Sequence, residues 1–373
     1  MKIGIVCPYN IFKPGGVQQH VQNQAAVLRS HGHSVIIITP RPYQHYDTEA
    51  PEGVIFLGRS ARVKAPHATS ADVSVTVENE AVETMLDREQ FDILHVHEPL
   101  VPVMPRQILK KASCLRVGTF HAALPGNMLG KSLSPSYKAY GRSVLPHIDV
   151  ITAVSPAAVG YIEDSIHDSQ KIHFIPNGIN LVDFRPSGKH VRLNDEVLFI
   201  GRLEKRKGAK QLLQAFSVLV GRRPATHLTI AGDGPSRDSL EKYVIDNNIP
   251  NVTFLGYIDD SRKRELLETT TVYTSPALYG ESFGIVLVEA MALAAPIVAH
   301  INDGYSWVLK GTGRLSLADC KDQEEYAAKL ELMLEDQGLR RVWQEWAKKY
   351  IKQFDYNNVV AQYEELYETY VKE

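Results

Sequence analysis

Cysteine is scarce in this chain: 373 residues carry only Cys7, Cys114 and Cys320, an odd number at no metal-binding spacing. That argues against a disulfide framework or a cysteine-ligated zinc site and fits reduced thiols in a cytosolic protein. Long apolar runs are also missing. The opening MKIGIVCPY has a five-residue apolar run before Pro8, too short for a signal peptide. The longest apolar tract, Phe283 to Val298, is interrupted by Glu289 and Pro296 and makes a poor membrane span. Neither charge sign dominates: 41 Lys and Arg against 43 Asp and Glu leave −2, which points away from a nucleic-acid partner. There is no G-x-G-x-x-G, no D-x-D, no low-complexity tract and no short-period repeat.

What is present is an ordinary globular composition, 44% hydrophobic and 23% charged, over a length that favours two domains. Short β-branched runs alternate with helical stretches, as in a parallel sheet covered by helices. The first half predicts strands at 2–7, 34–39, 53–57, 91–96, 115–120, 148–154 and 171–175. Helices fall near 17–31, 77–89, 100–112, 130–145 and 156–168. The pattern then restarts, with strands at 196–201, 227–231, 252–255, 271–275 and 296–300 and helices near 208–221, 235–248, 260–268 and 284–294. Two glycine-marked strand-to-helix starts, at Gly15-Gly16 and at Gly201, imply two Rossmann-like domains. PNGINLVDFRPSG, 176–188, reads as the linker, and the last 35 residues as helix without a further strand.

Ligands of open parallel sheets sit beyond the carboxyl ends of the strands, so the residues there are the candidates. After the first strand comes KPGGVQQH, whose paired glycines suit either close approach to a phosphate or a plain tight turn. His121 follows strand 115–120 as a packed, capping or catalytic residue. After strand 196–201 comes GRLEKRKGAK; Lys205 and Lys210 read as solvated, Arg202 and Lys207 as cations placed for a diphosphate. YGESFGIVLVEAMA, 279–292, sets two acids in an apolar run. Either Glu281 lies on a loop and Glu289 in the second turn of a helix starting near Gly284, both reaching a ligand at the helix start, or Glu281 is a cap and Glu289 faces water. Cations suit a diphosphate and carboxylates suit sugar hydroxyls; a nucleotide-sugar has both.

Taken in order, these stretches resemble the retaining glycosyltransferases of family four along nearly the whole chain. The carrying motifs are PGGVQQHV, DILHVHEP at 92–99, TFH at 119–121, IPNG at 175–178, FIGRLEKRKG at 199–208, AGDGP at 231–235, FLGYIDD at 254–260 and ESFGIVLVEAMA at 281–292. Within that family, GIVCPY, PGGVQ and HVHEP look most like the phosphatidylinositol mannosyltransferases. The resemblance implies a GT-B fold: an acceptor-side Rossmann-like domain at 1–175, a nucleotide-sugar domain at 176–352, a central cleft, and a helix at 353–373 packing back on the first domain. It implies a hexose donor, GDP-mannose, with Glu281 on the sugar hydroxyls and Glu289 on the ribose. The backbone of Ser282, Phe283, Gly284 and Ile285 would lie along the diphosphate, Arg202, Arg206 and Lys207 would neutralise it, and Ile258 and Lys263 would flank the base. Gly15 and Gly16 match the turn that reaches the β-phosphate, His121 the histidine near the donor sugar, and Tyr9, Gln18 and His121 the acceptor side. His121, Glu281, Arg202 and Lys207 form the catalytic set. No metal is expected, in keeping with the missing D-x-D, and the route implied is front-face attack with retention.

The acceptor side departs from the family. Asn180 replaces the usual aspartate, Leu100 and Ala122 stand where that group has small polar residues, and 71–90 carries six acids and one arginine where a basic membrane patch would be. The resemblance implies a lipid acceptor at the inner face of the cell membrane; because 71–90 is acidic, the expected contact is weak and salt-sensitive, through the loop bearing Arg59, Arg62 and Lys64 and the stretch bearing Lys131, Lys138 and Arg142. A UDP-sugar donor with another acceptor, a nucleotide-sugar epimerase or hydrolase, and a non-catalytic nucleotide-sugar sensor are the alternatives.

Overall fold

The computed structural model describes residues 1–42, 49–64, 70–123, 128–166, 171–188 and 192–372. The chain forms two compact units, Met1–Gly178 with Tyr356–Glu373, and Ile179–Asp355.

The first unit is built on an eight-stranded sheet in the order β4-β3-β2-β1-β5-β6-β7-β8. Its strands are β1 Lys2–Val6, β2 Ser34–Arg41, β3 Val54–Lys64, β4 Ser70–Thr76, β5 Ile93–His97, β6 Leu115–Phe120, β7 Val150–Ala153 and β8 Ile172–Phe174. All pairs are parallel except β3 with β4. Helices cover the sheet, so β1 and β5 are buried on both faces; KIGIV is accordingly apolar beyond its first residue, while ILHVH buries two histidines among its apolar residues. The C-terminal helix Tyr356–Val371 belongs to this unit. Its Val359, Val360, Tyr363, Leu366 and Tyr367 join Ile3, Ile5, Val21, Ala25 and Ile93 in one core. Fully burying such a side chain contributes about 1.5–3 kcal/mol, so five anchors from one helix fix it firmly.

The second unit has a six-stranded, all-parallel sheet in the order β11-β10-β9-β12-β13-β14. Its strands are β9 Glu196–Ile200, β10 His227–Ala231, β11 Val252–Gly256, β12 Val272–Ser275, β13 Ile297–His300 and β14 Leu317–Ala318. In each sheet the winding reverses beside the unit's first strand: between β1 and β5, and between β9 and β12. Those are the topological switch points where doubly wound sheets bind ligands.

Three readings of the sequence need correction. The stretch around Arg59, Arg62 and Lys64 is not a loop: β3 runs through Lys64 and pairs antiparallel with β4, a strand the sequence reading missed. Where a helix was expected at 156–168, the described part holds only the 3-10 turns Pro156–Ala158 and Glu163–Ser165. Gly160 and the Asp-Ser pair favour turns over helix there. Finally, the short edge strand β14, Leu317–Ala318, was not among the expected strands. Among the described residues, no helix is long and apolar enough to cross a membrane.

Candidate active site

The second unit gathers its charged residues at the β9/β12 switch point. β9 ends at Ile200, and Arg202 to Lys207 form the loop and 3-10 turn that follow. The β12 loop meets it: Leu278 N–H donates to the Arg206 carbonyl at 2.8 Å. Gly208, at φ 73°, permits this approach, because a side chain there would collide with the Pro276 carbonyl. Glu281 sits on that second loop. Its Oε1 accepts from Arg206 Nη1 at 2.8 Å and from Lys207 Nζ at 2.7 Å. Two residues on, Phe283 is buried and packs against Phe354, and Gly284, at φ 90°, opens the helix Ile285–Ala292.

These contacts form an alternating row of charges. Arg202 Nε pairs with Glu204 Oε1 at 2.8 Å, and Arg206 Nε with Glu204 Oε2 at 3.0 Å, before Arg206 reaches Glu281. Three cations against two carboxylates leave one net positive charge at the strand end. With the side chains of Glu204 and Glu281 only 5% and 10% exposed, the carboxylates of the row are largely shielded from solvent, while its outer cation, Arg202, is exposed. Glu289 lies in the second turn of the helix, its Oε1 2.8 Å from Lys263 Nζ, which also meets Asp260 at 3.0 Å. Burial works to lower the Lys263 pKa, but Glu289 and Asp260 outweigh it and hold the ammonium above its ordinary value. Ile258 is half-buried in the loop between β11 and the helix carrying Lys263.

The first unit presents a different surface at its own strand ends. Gly15 is extended at φ 178° and precedes the helix Gly16–Ser30; Gln18 folds back over it, while a side chain at Gly16 would meet open space. Tyr9 bridges to Val73, next to the β1 end. His121, just after β6, is 7% exposed, and both ring nitrogens are engaged: Nε2 lies 2.8 Å from His97 Nδ1 and Nδ1 3.2 Å from Asn177 Oδ1. Glu98 fixes the loop, its Oε1 accepting from the backbone N–H of His121 at 2.8 Å and of Ala122 at 2.7 Å. Burial pushes the Glu98 carboxyl up to about 7, against those two bonds, and lowers His121 to about 4 despite Asn177. His95 is lowered to about 3 by burial and by His121, and His20 and His97 fall well below the ordinary imidazole value.

Two family models match consecutive parts of the chain: Glycosyltransferase Family 4 over residues 14–183 and Glycosyl transferases group 1 over 184–350. The phosphatidyl-myo-inositol mannosyltransferase of Mycolicibacterium smegmatis is 32% identical, the alignment spanning 99% of this chain and 94% of that protein. The namesake from Mycobacterium leprae is 31% identical over 99% and 97%. The chain belongs to glycosyltransferase family 4. Solved structures agree on the GT-B fold. Sucrose-phosphate synthase from Thermosynechococcus elongatus aligns with a TM-score of 0.79 at 19% identity over 99% and 98% of the two chains. A glycosyltransferase from Rickettsia africae aligns with 0.76 at 19% over the same shares.

Within this family 4 glycosyltransferase, Arg202, Arg206, Lys207, Glu281, Ser282, Phe283, Gly284 and Ile285 converge on one switch point, and Glu289 pairs with Lys263. Gly15, Gly16, Gln18, Tyr9 and His121 lie at strand ends of the other unit. Several partners escaped the sequence reading. Glu204 is the buried acid inside a run read as basic. Gly304 packs where a side chain would collide with the Glu281 carbonyl, and Asn302 holds its loop by donating to the Ala277 carbonyl at 2.9 Å. His20, His95 and His97 were read as motif letters, although the alternation His95-Val96-His97 places both imidazoles on one face of β5.

Proposed function

We propose that this glycosyltransferase moves a hexose, mannose from GDP-mannose, with retention of anomeric configuration, to a membrane-associated acceptor such as phosphatidylinositol. The observation that carries the reading is the Arg206–Glu281–Lys207 contact at the β9/β12 switch point. A departing nucleoside diphosphate needs cations already in place, because charge develops on it as the glycosidic bond breaks; Arg202, Arg206 and Lys207 supply them. Glu281, held by two cations through a single oxygen, keeps Oε2 for donor hydroxyls. Glu289 binds the ribose, Ile258 and Lys263 flank the base, and the turn from Ser282 to Ile285 follows the diphosphate. His121, Tyr9, Gln18, Gly15 and Gly16 keep the roles given by the resemblance. The mannosyltransferase names of the relatives at about 30% identity support the sugar and the lipid.

The sequence offers no obvious covalent nucleophile, so the reading is front-face attack in which the leaving phosphate takes the acceptor proton. This route calls for no metal, and transfer is expected to persist in EDTA. The test is product analysis with GDP-mannose and UDP-glucose against phosphatidylinositol and water-soluble acceptors, preceded by a donor screen read as thermal stabilisation. Mannosylated lipid from GDP-mannose is the expected product. Transfer from UDP-glucose alone, or only to a soluble acceptor, selects a second reading, which Leu100, Ala122 and the acidic stretch at 71–90 favour.

A further inference from the structure

The histidine cluster of the first unit holds more polar atoms than its packing requires. Neither ring nitrogen of His20 has a hydrogen-bond partner among the described residues, nor does Nε2 of His97. His20 is 2% exposed, with its ring 5.0 Å from that of His121 and 5.5 Å from that of His97. A leucine or phenylalanine would fill that space without burying unpaired nitrogens. One nitrogen from each of His20, His97 and His121 lies within 4.8 Å of the others.

We propose that His20, His97 and His121 form a three-histidine site for a borderline transition-metal cation, Zn2+ foremost, and that metal bound there inhibits transfer. Three imidazoles are the donor set that Zn2+ and Co2+ favour, while Mg2+, Ca2+ and Mn2+ prefer oxygen. The site is prepared on one side already. Asn177 Oδ1 accepts from His121 Nδ1–H, which leaves the Nε2 lone pair pointing at His97, the second-layer arrangement that orients a metal-bound imidazole. Binding replaces the His97–His121 hydrogen bond with two metal–nitrogen bonds of about 2.0–2.1 Å, the Nδ1 proton of His97 passing to its unpartnered Nε2, and a small separation of the two rings makes room for the ion. The inhibition rests on the donor-sugar role proposed for His121; the binding does not.

The full-length protein, stripped with EDTA and dialysed, is titrated with CoCl2 and ZnCl2 in a Cys320→Ser background. That background disables the other candidate cluster, His300, Asp319 and Cys320. The expected result is one equivalent of Co2+ giving the visible spectrum of a tetrahedral, thiolate-free site and displaced by Zn2+. His20→Phe, which keeps the ring's packing, should weaken binding at least about tenfold while folding and metal-free transfer persist. Zn2+ should inhibit the parent and spare His20→Phe, and Mg2+ should do neither. Absence of stoichiometric binding, or equal affinity in His20→Phe, overturns the site. Binding that is lost in His20→Phe but leaves transfer unaffected keeps the site and removes the inhibition, pointing instead at the role given to His121.

Discussion

Two strand-end surfaces on the same kind of sheet have opposite electrostatics. In the second unit, Arg202, Glu204, Arg206, Glu281 and Lys207 form a row of alternating sign, paired at 2.7–3.0 Å. In the first unit the polar groups at the corresponding ends are stripped of charge: four imidazoles are kept neutral by burial and by one another, and the Glu98 carboxyl is pushed up to about 7. Burial alone does not explain the difference, since Glu204 and Glu98 are equally inaccessible at 6% and 5%. Partner type does. Glu204 faces guanidinium groups, whereas Glu98 faces backbone N–H dipoles and no cation. A charged shelf suits an anionic ligand that must be released as a dianion or trianion. A neutral, hydrogen-bonded shelf suits hydroxyls.

The comparison breaks hardest at Glu281. Glu281→Ala should leave the fold intact and cut kcat/KM below about 1% of wild type, the scale of losing a pre-organised charge from a dry site. Activity within about threefold of wild type would place the donor sugar elsewhere. Next comes Lys207→Ala, which should raise the barrier by about 2–4 kcal/mol, read as a fall in kcat with a modest change in KM. An unchanged kcat would mean that Arg202 and Arg206, the latter sharing the same carboxylate oxygen, suffice for the leaving group.

These contrasts were unequally legible in the sequence. The charged shelf was readable because its members follow strand ends directly, and because a carboxylate and a cation are chemically conspicuous in apolar surroundings. Glu204 was hidden by its neighbours: one acid inside EKRK reads as part of a solvated run until the β12 loop is known to cover it. The neutral shelf was mostly illegible. A histidine within a strand has the pattern of a core residue, and nothing local shows that His20 on a helix, His97 on β5 and His121 after β6 converge. Non-local packing decided that. β4 was missed for a third reason: SADVSVT alternates with period two, but the acid Asp72 and Ser74 are buried while Val73 and Val75 are more exposed, the reverse of the usual strand signal. The two-domain alternation of strands and helices, by contrast, is a property of local periodicity and came through to within a few residues.

Acid stability sharpens the comparison further. Between about pH 4.5 and 7 the folded chain keeps a proton on Glu98 that the unfolded chain lacks, so this group's contribution is full below 4.5 and is lost as the pH rises through 7. The imidazoles act oppositely. His95 near 3 and His121 near 4 stay neutral when folded, whereas unfolded histidines take up protons near 6.5, so their contribution is lost as the pH falls below 6.5. Four such rings outnumber one carboxyl, and net stability should fall on acidification. Glu98→Gln removes the opposing slope, on the order of 1.4 kcal/mol per pH unit, and should make the acid loss steeper. Urea midpoints at pH 5 and pH 7.5 measure this; identical differences for wild type and variant would mean that Glu98 is ionised throughout.

The smallest effect expected concerns the membrane, and the structure changes its terms. The basic residues of 59–64 lie on a paired strand, and the acidic stretch beside them has already answered part of their charge. Asp72, its side chain 5% exposed, pairs with Lys13 at 2.5 Å and with Arg62 at 3.5 Å. Burial pushes this carboxyl up, yet the two cations hold it below its ordinary value, so it is ionised at neutral pH. Lys138 is likewise paired, with Asp164 at 2.6 Å, and the side chains of Lys64 and Lys131 lie outside the described residues. At about 1 kcal/mol per cation near an anionic surface, so partly neutralised a set supports only weak, salt-sensitive binding. Sedimentation with anionic vesicles at low salt should detect it, and replacing Arg59, Arg62 and Lys64 with serine should lower it. Asp72→Asn supplies the opposite arm: by releasing Lys13 and Arg62 from a buried counter-charge it should strengthen binding at low salt and leave it unchanged at high salt. If Asp72→Asn has no effect while the triple replacement still weakens binding, the contact uses Arg59 and Lys64 without the β4 side of the hairpin. If neither substitution matters and binding persists, the lipid-facing surface lies elsewhere on the chain.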